Sequence, residues 1–252
     1  MGYRDMNAMP LLRPVLMSLL IAWGVFQAMP ARAGFGDFFK GVKDAVQGDQ
    51  ELSQSQIIEG LKEALLVGTG NAVETVSQVG GYLENPAIKI PLPDSIRKVE
   101  SLVRAAGYGA QIDAFVVSMN RAAERAAPEA KSIFLDAIKQ MTISDAQRIL
   151  KGRENEATLY FKDKTYGQLS ETFEPIVHDA MSQVGVTRKY QELEEKVKAV
   201  PFANIYSFDL DEYVNNRALE GLFFVLGEEE KKIRHDPAAR VTDLLKEVFG
   251  KR

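Results

Sequence analysis

The sequence predicts an all-α protein, built as a multi-helix bundle of about 9–11 helices. Apolar residues recur at helical spacing in nearly every segment after residue 52, which favours amphipathic helices. No segment keeps the apolar and polar alternation that marks a half-buried strand. The exception to helix lies near 86–93, where each of three prolines disfavours helix for the preceding residue. A short extended crossing, with one short strand as an option, is expected there.

The first helix of the bundle is predicted to begin after Ser53. Ser53 and Gln56 have the spacing of a capping box, in which each side chain satisfies a backbone N–H of the other residue. Gly68 and Gly70 weaken the same helix, so we expect a kink or a break near them.

The middle of the chain is predicted to contain several shorter helices. Asp94 is expected to cap one that ends at the Gly107–Gly109 turn. An alanine-rich helix follows over 110–126, and Pro128 suits the first turn of its partner helix. Another helix is expected over 142–150, because Thr and Ser precede an apolar run there.

The later helices are predicted from caps, breaks and apolar stripes. A helix over 154–163 is expected to be followed by a separate helix that Thr165 caps and Pro175 interrupts. Residues 188–198 have the mixed charges of a solvated helix. Asp209 is expected to open a deeply buried helix, and 241–249 has the stripe of a surface helix.

Residues 1–33 have the three-part pattern of a cleavable secretion signal. Basic residues precede an apolar run over 15–26, and Ala31-Arg32-Ala33 supplies a small-residue cleavage site. The apolar run is too short to span a bilayer comfortably, so we expect export and cleavage, with no transmembrane anchor afterwards. The remaining chain is expected to consist of a lead segment over 34–51 and a single helical domain over 52–250.

Composition excludes several classes of protein. The sequence contains no cysteine, which excludes disulfides, thiol catalysis, cysteine-bound metals and a lipidated N-terminal cysteine. The chain has 31 basic and 35 acidic residues, a net charge of −4, and removal of the predicted signal takes away three basic residues and one acidic residue. The mature chain would therefore carry about −6 and is not expected to bind nucleic acid, which requires a basic face.

The sequence lacks the motifs of several common enzyme classes. The sequence lacks G-x-S-x-G, a P-loop, and a G-x-G-x-x-G that opens a βαβ unit. Its two histidines, His178 and His235, lie far apart without zinc-binding spacing. We therefore assign no catalytic residue, no cofactor and no metal site. Whether the chain is an enzyme stays open, although the absence of motifs favours a non-enzymatic protein.

The string Met119–Ala127 contains the most unusual candidates for a polar site. Asn120 and Glu124 are four residues apart, so they lie on one face of the alanine-rich helix, with Arg121 beside them. One interpretation is an amide and a carboxylate displayed in a cleft to bind a polar group. The alternative, which we favour, is a structural polar network inside the bundle or surface pairing of the arginines with nearby acids.

Three further candidates lie later in the chain. Asp145 follows Thr142 by three residues, a spacing that helix capping explains fully. Thr158 is placed to lie beside a cleft. Arg234 ends the run Glu228–Arg234, in which acids precede bases, as is typical of a solvated helix with internal ion pairs.

Several strings of the sequence occur together in one known family. They are Leu61–Leu65, Ile88–Pro93, Met119–Glu124, Met141–Ala146, Ala157–Phe161, Glu229–Arg234 and Val248–Gly250. In this order, from about Leu52 to Gly250, they resemble the bacterial domain-of-unknown-function 4197 family. The resemblance implies an exported, mostly helical protein of the bacterial cell envelope, here periplasmic, and it implies no activity.

The same resemblance selects the candidate site residues. This chain also differs from many members of the family in one respect. Many family members look like lipoproteins, whereas this chain has no cysteine and is expected to be soluble after cleavage. The motif residues become candidates for a shared polar centre that binds a ligand or partner: Asn120, Arg121, Glu124, Asp145, Thr158 and Arg234.

Three hypotheses of function follow from these observations. The first, which we prefer, is a non-enzymatic envelope protein that binds an envelope partner or an apolar small molecule in a groove between helices. The second is an enzyme of unfamiliar type, with Glu124 and Asp145 as acid and base. The third is a purely structural or assembly role, in which the motifs only fold the bundle.

Overall fold

The computed structural model describes residues 53–183 and 209–236. All regular elements in these residues are helical, which confirms the all-α prediction. The α-helices are α1 Gln54–Ser77, α2 Asp94–Arg97, α3 Glu100–Val103, α4 Gly109–Ala126, α5 Ala130–Lys139, α6 Ile143–Lys151, α7 Glu156–Gln183 and α8 Leu210–His235. A π-helical turn, Arg104–Tyr108, precedes α4, and a 3-10 turn, Ala127–Glu129, precedes α5.

Several predictions concern residues outside these two ranges. They are the secretion signal at 1–33, the lead segment at 34–51, and the helices at 188–198 and 241–249. The predicted total of about 9–11 helices includes the two helices at 188–198 and 241–249. These statements, and the single domain over 52–250, stay predictions.

Six of the described helices pack together around α7 and α8. α8 packs against α7, α1 and α4, while α7 also contacts α4, α5 and α6. Phe134 of α5 lies at the centre, with its ring 5.1 Å from the ring of Phe161 and 6.1 Å from that of Phe223, both in edge-to-face geometry. Such pairs stabilise a core beyond the area they bury, so these three rings fix α5, α7 and α8 against one another.

Helix α1 begins as predicted but does not break. Ser53 is its N-cap, and the reciprocal hydrogen bonds of Ser53 and Gln56 form the capping box. The break expected near Gly68 and Gly70 is wrong, because α1 runs without interruption from Gln54 to Ser77. The physical reason is its packing along α8, since tertiary burial outweighs the modest cost of glycine in a helix.

The crossing between α1 and α2 contains turns and extended backbone without a strand. The cap prediction for Asp94 is wrong, because Pro93 occupies the N-cap position and Asp94 is the first helical residue. The predicted turn near Gly107 is present at the π-helical turn before α4. Gly107 has φ +89°, a left-handed conformation that favours glycine, and α4 starts two residues later.

The prediction of separate helices over 154–163 and after Thr165 is wrong, because α7 is a single helix from Glu156 to Gln183. Thr165 lies inside it and donates its hydroxyl hydrogen to the Phe161 carbonyl at 2.6 Å. The helix also continues through Pro175. Its packing against four other helices outweighs the local cost of an interior proline.

Helix α8 confirms the prediction of a capped and deeply buried helix. Asp209 is its N-cap, and the carboxylate accepts a hydrogen bond from the Glu212 backbone N–H at 3.0 Å. Buried residues occur on most of its circumference. Among the described residues, none of the helices combines the length and apolar character needed to cross a bilayer.

Gly221 of α8 allows a close approach of the crossing. A Cβ atom at this position would lie 2.6 Å from Tyr82 Cε1 and 3.1 Å from Ile88 Cβ. The Tyr82 ring is fully buried and its hydroxyl donates to the Ala218 carbonyl at 2.6 Å, so the ring cannot easily move aside. Glycine is therefore required here by packing.

We expect Gly221→Ala to lower the free energy of unfolding by about 1–3 kcal/mol, the usual cost of overpacking a core. The matched control is Gly70→Ala on α1, where an added Cβ meets nothing within 4 Å. That control should raise stability by about 0.5–1 kcal/mol, because alanine is the better helix former. Urea unfolding followed by far-UV circular dichroism measures both changes. Equal stability of Gly221→Ala and the parent would contradict the packing argument.

Candidate functional site

Glu124 holds the turn that follows α1. Its side chain is 4% exposed, and Oε1 accepts hydrogen bonds from the backbone N–H groups of Gly80, Tyr82 and Leu83 at 3.1, 3.2 and 3.3 Å. Oε2 forms an ion pair with Arg121 Nη1 at 2.5 Å. Hydrogen bonds to an ionised acceptor are roughly twice as strong as neutral ones. The carboxylate therefore ties α4 to the turn, and Arg121 balances its charge.

The side-chain amide of Asn120 pairs with both backbone groups of Ile90 in the crossing, as the backbone of a neighbouring β-strand would. Its Oδ1 accepts from the Ile90 N–H at 2.8 Å, and its Nδ2 donates to the Ile90 carbonyl at 2.9 Å and the Val116 carbonyl at 2.8 Å. Asn120 and Ile90 are both fully buried, where unpaired backbone groups would be costly. Asn120 and Glu124 thus share one helix face, as predicted, and both bind backbone of this chain.

Tyr82 lies beside the Glu124 carboxylate. Burial raises the pKa of the Tyr82 hydroxyl well above its ordinary value, and the negative charge of Glu124 raises it further. The hydroxyl therefore stays protonated and remains a hydrogen-bond donor to the Ala218 carbonyl. It is a fixed part of the packing between the crossing and α8.

Thr158 and Arg234 meet at Glu230, a residue that the sequence did not single out. The Glu230 carboxylate accepts hydrogen bonds from the Ala157 N–H at 3.0 Å and from the N–H and hydroxyl of Thr158, both at 2.8 Å. Arg234 Nη2 lies 2.8 Å from Oε1 of the same carboxylate and also donates to the Ile149 carbonyl at 3.0 Å. Glu230 therefore caps the N-terminus of α7, and Arg234 connects that cap to α6.

The interpretation of Glu228–Arg234 as a solvated helix is wrong for two of its three acidic residues. Glu229 and Glu230 are only 7% and 8% exposed. Glu229 Oε2 accepts from Asn71 Nδ2 at 3.1 Å, and its Oε1 pairs with Lys232 Nζ at 2.5 Å. Both carboxylates face neighbouring helices, because α8 is buried on most of its circumference.

Asp145 forms part of the N-terminal cap of α6. The Thr142 hydroxyl accepts from the Asp145 N–H at 3.1 Å, and Asp145 Oδ2 accepts from the Thr142 N–H at 3.2 Å. This reciprocal arrangement confirms the capping prediction. The hydrogen bond from the Thr142 hydroxyl lowers the pKa of Asp145, with a smaller contribution from Arg148.

These contacts place the six candidates in three groups. Asn120, Arg121 and Glu124 hold the crossing, Thr158 and Arg234 meet at Glu230, and Asp145 caps α6. Glu124 and Asp145, the acid and base of the enzymatic hypothesis, belong to different groups. Each carboxylate accepts several hydrogen bonds from its own surroundings, whereas a general base needs a lone pair directed at its substrate. The geometry gives no support to that hypothesis.

An interior cavity lies beside the Glu230 cap, between α1, α7 and α8, with Gly68, Thr158 and Arg234 in its wall. Its volume is about 20 Å³, which is room for one water molecule. A small-molecule site usually needs about 300–1,000 Å³. This cavity is therefore too small for an apolar ligand of that size.

A larger depression lies on the surface between α1 and α8, and we call it the α1–α8 groove. It is lined by Asn71, Glu74 and Thr75 of α1, by the C-cap residue Gln78, and by Glu229, Lys232 and Ile233 of α8. Its volume is about 420 Å³, within the range of small-molecule sites. Asn71, Glu74, Thr75 and the C-cap residue Gln78 follow helical spacing and are exposed, so they form one polar wall.

No cluster of three or more metal-ligating side chains occurs within residues 53–183 and 209–236. His178 pairs with Asp211 at 2.6 Å and His235 with Glu154 at 3.0 Å. Each histidine thus contacts a carboxylate that is distant in the sequence. The Asp211 hydrogen bond raises the pKa of His178.

The spacing of apolar residues in α8 indicates that Glu230 is buried, a signal that the sequence analysis above missed. Glu230 follows Leu226 by four residues and precedes Ile233 by three, so it shares the apolar face of α8. Leu226 and Ile233 are both buried. A charged residue on an apolar stripe indicates a buried polar partner, which the order of acids and bases alone did not reveal.

The chain matches one family model, described as Protein of unknown function (DUF4197), over residues 51–250. Neither the curated proteins nor the solved structures include a significant match to this sequence. The match covers all the helices above.

Proposed function

This chain belongs to the DUF4197 family, and on that premise we propose that it is an exported, non-enzymatic binding protein of the bacterial cell envelope. We further propose that it binds its ligand or partner in the α1–α8 groove. The family description carries no activity, so the proposal depends on the geometry and the secretion pattern.

One observation carries the choice of site. The α1–α8 groove has a volume of about 420 Å³, whereas the interior cavity has about 20 Å³. Binding sites are concave and largely pre-formed, with a few polar groups that orient the ligand. The groove has this form. Glu74, Thr75 and Gln78 in its polar wall are exposed, so these side chains are accessible to a ligand.

The proposal of export is supported by the pattern of residues 1–33. A basic start, an apolar run and the Ala31-Arg32-Ala33 site are the features that a secretion signal requires. Cleavage there gives a chain that begins at Gly34. The absence of cysteine means that this chain cannot carry the lipid anchor of a lipoprotein.

Native mass spectrometry of the chain purified gently from its own envelope fraction tests both parts of the proposal. The expected mass is that of the chain from Gly34, with an adduct or a bound partner. Thr75→Trp should abolish the adduct, because the indole fills the α1–α8 groove. The matched control is Gln168→Trp, an exposed position on α7, which should retain it.

Each contrary result removes a defined part of the proposal. A chain that retains residues 1–33 in the cytoplasmic fraction contradicts export. An adduct that persists in Thr75→Trp contradicts the groove as the site. A bare chain in the parent protein contradicts the binding role and favours a structural one.

A further inference from the structure

We propose that the α1–α8 groove binds a cationic ligand, whose ammonium or guanidinium group pairs with the buried carboxylate of Glu229 in place of Lys232. The inference rests on the proposed function, since it names the ligand class of the same groove. It assigns Lys232 the role of an internal competitor that occupies the site in the free protein.

Glu229 requires a positive partner. It is only 7% exposed, and a buried carboxylate without a counter-charge is strongly destabilising. Asn71 supplies one neutral hydrogen bond to Oε2 at 3.1 Å, and Lys232 supplies the positive charge at Oε1. The groove therefore contains an anion whose charge is balanced by one side chain.

The partner of Glu229 differs from that of the neighbouring Glu230. Glu230 is held by Arg234, whose side chain is 10% exposed, and by backbone N–H groups of α7. Lys232 has a side chain that is 60% exposed, on a flexible stem with a strongly hydrated ammonium. Lys232 can therefore move into solvent and leave the Glu229 carboxylate to an incoming cation, whereas Arg234 cannot.

The remaining groups of the groove favour the same ligand class. Glu74 supplies a second carboxylate, while Thr75 and Gln78 supply neutral polar groups, all on the wall formed by α1 and its C-cap. With Lys232 in solvent, the side chains that face the ligand include two acids. Such a surface attracts a cation and repels an anion. Ile233 adds apolar contact for the carbon chain that carries the charge.

Nuclear magnetic resonance titration of the ¹⁵N-labelled exported chain tests the proposal, with cadaverine as the ammonium probe and agmatine as the guanidinium probe. The Asn71 side-chain amide hydrogen-bonds Glu229, so its two signals report directly on that carboxylate. We expect saturable shifts of these signals and of backbone amides at 71–78 and 229–233. The shifts should weaken as salt concentration rises.

Three variants and one control assign the interaction to Glu229 and Lys232. Lys232→Met should tighten binding about two- to five-fold, because the internal competitor is lost. Glu229→Gln should weaken it at least about ten-fold. Glu74 is exposed, so Glu74→Gln should fold. This variant therefore tests the site even if Glu229→Gln fails to fold. Glu228→Gln, which removes the exposed pair with Lys231 on the same helix, should leave affinity unchanged.

The outcomes separate this inference from the proposed function. Absence of saturable shifts with both probes, or unchanged affinity in both Lys232→Met and Glu74→Gln, overturns the cationic ligand class. If the mass adduct is then still lost in Thr75→Trp, the groove remains the binding site for another class of ligand. If the adduct persists in Thr75→Trp as well, both proposals fail together.

Discussion

Replacement of Glu124 by alanine is expected to lower the free energy of unfolding by about 3–5 kcal/mol, the usual cost of removing one partner of a buried ion pair. The carboxylate is buried and accepts three backbone hydrogen bonds from the turn at 80–83. Its removal leaves these N–H groups without their acceptor and Arg121 without its ion-pair partner. Each unsatisfied buried donor costs about 1–3 kcal/mol.

Glu124→Gln separates the contribution of the charge from that of the acceptor. Glutamine keeps one oxygen that can accept from the turn but places an amide opposite Arg121, so its cost should lie between those of the parent and Glu124→Ala. Asp113→Ala on the same helix is the matched control, because Asp113 is an exposed member of an ion pair with Arg104 and should change little. Far-UV circular dichroism suits the measurement, because the only tryptophan, Trp23, lies in the predicted signal. Equal effects of Asp113→Ala and Glu124→Ala would contradict the role of Glu124.

Glu230→Ala is expected to have a similar effect, about 3–5 kcal/mol. It removes the cap from the start of α7 and leaves the guanidinium of Arg234, 10% exposed, without its carboxylate. Because α7 is central to the packing of the bundle, the loss should lower the midpoint of the whole unfolding transition. Urea unfolding measures this effect.

A double-mutant cycle tests the coupling between Glu230 and Arg234. The Glu230→Ala, Arg234→Ala variant should cost less than the two single variants together, by about 0.5–3 kcal/mol, because each single variant already removes the same ion pair. Glu228→Ala on the same helix removes only an exposed pair with Lys231 and should change stability little. Additive effects of the two buried substitutions would contradict direct coupling.

The predictions that the structure confirms rest on signals within one or two turns. The capping box of Ser53 and Gln56, the cap of Thr142 and Asp145, and the start of α8 at Asp209 were all read from residue types and spacing. These interactions form between residues that are near in sequence, so no knowledge of the tertiary structure was needed. The shared face of Asn120 and Glu124 followed from helical periodicity in the same way.

Most of the predictions that were wrong concern helix breaks. They considered the local cost of a glycine or proline in a helix without the tertiary packing that offsets this cost. Glycines in α1 and Pro175 in α7 each disfavour helix locally. Both helices nevertheless continue, because each is packed along much of its length against other helices. Burial of a helix face stabilises the helix by more than one residue of low helix propensity destabilises it.

The partners of the candidate site could not be predicted from the sequence. Glu124 binds the turn at 80–83, and Glu230 binds the start of α7. In both cases most of the hydrogen bonds come from backbone N–H groups, which have no residue-type signature and can be identified only from the fold. The groove between α1 and α8 is likewise a product of how two distant helices approach each other.

The sequence by itself thus determined the helical class, most helix starts and the family membership, because these depend on composition, spacing and local hydrogen bonds. The tertiary structure alone decided that Glu229 and Glu230 are buried, that Gly221 must be glycine, and that a surface groove lies between α1 and α8. The physical reason is that burial and long-range hydrogen bonding depend on which helices meet, and helices that meet are far apart in the chain.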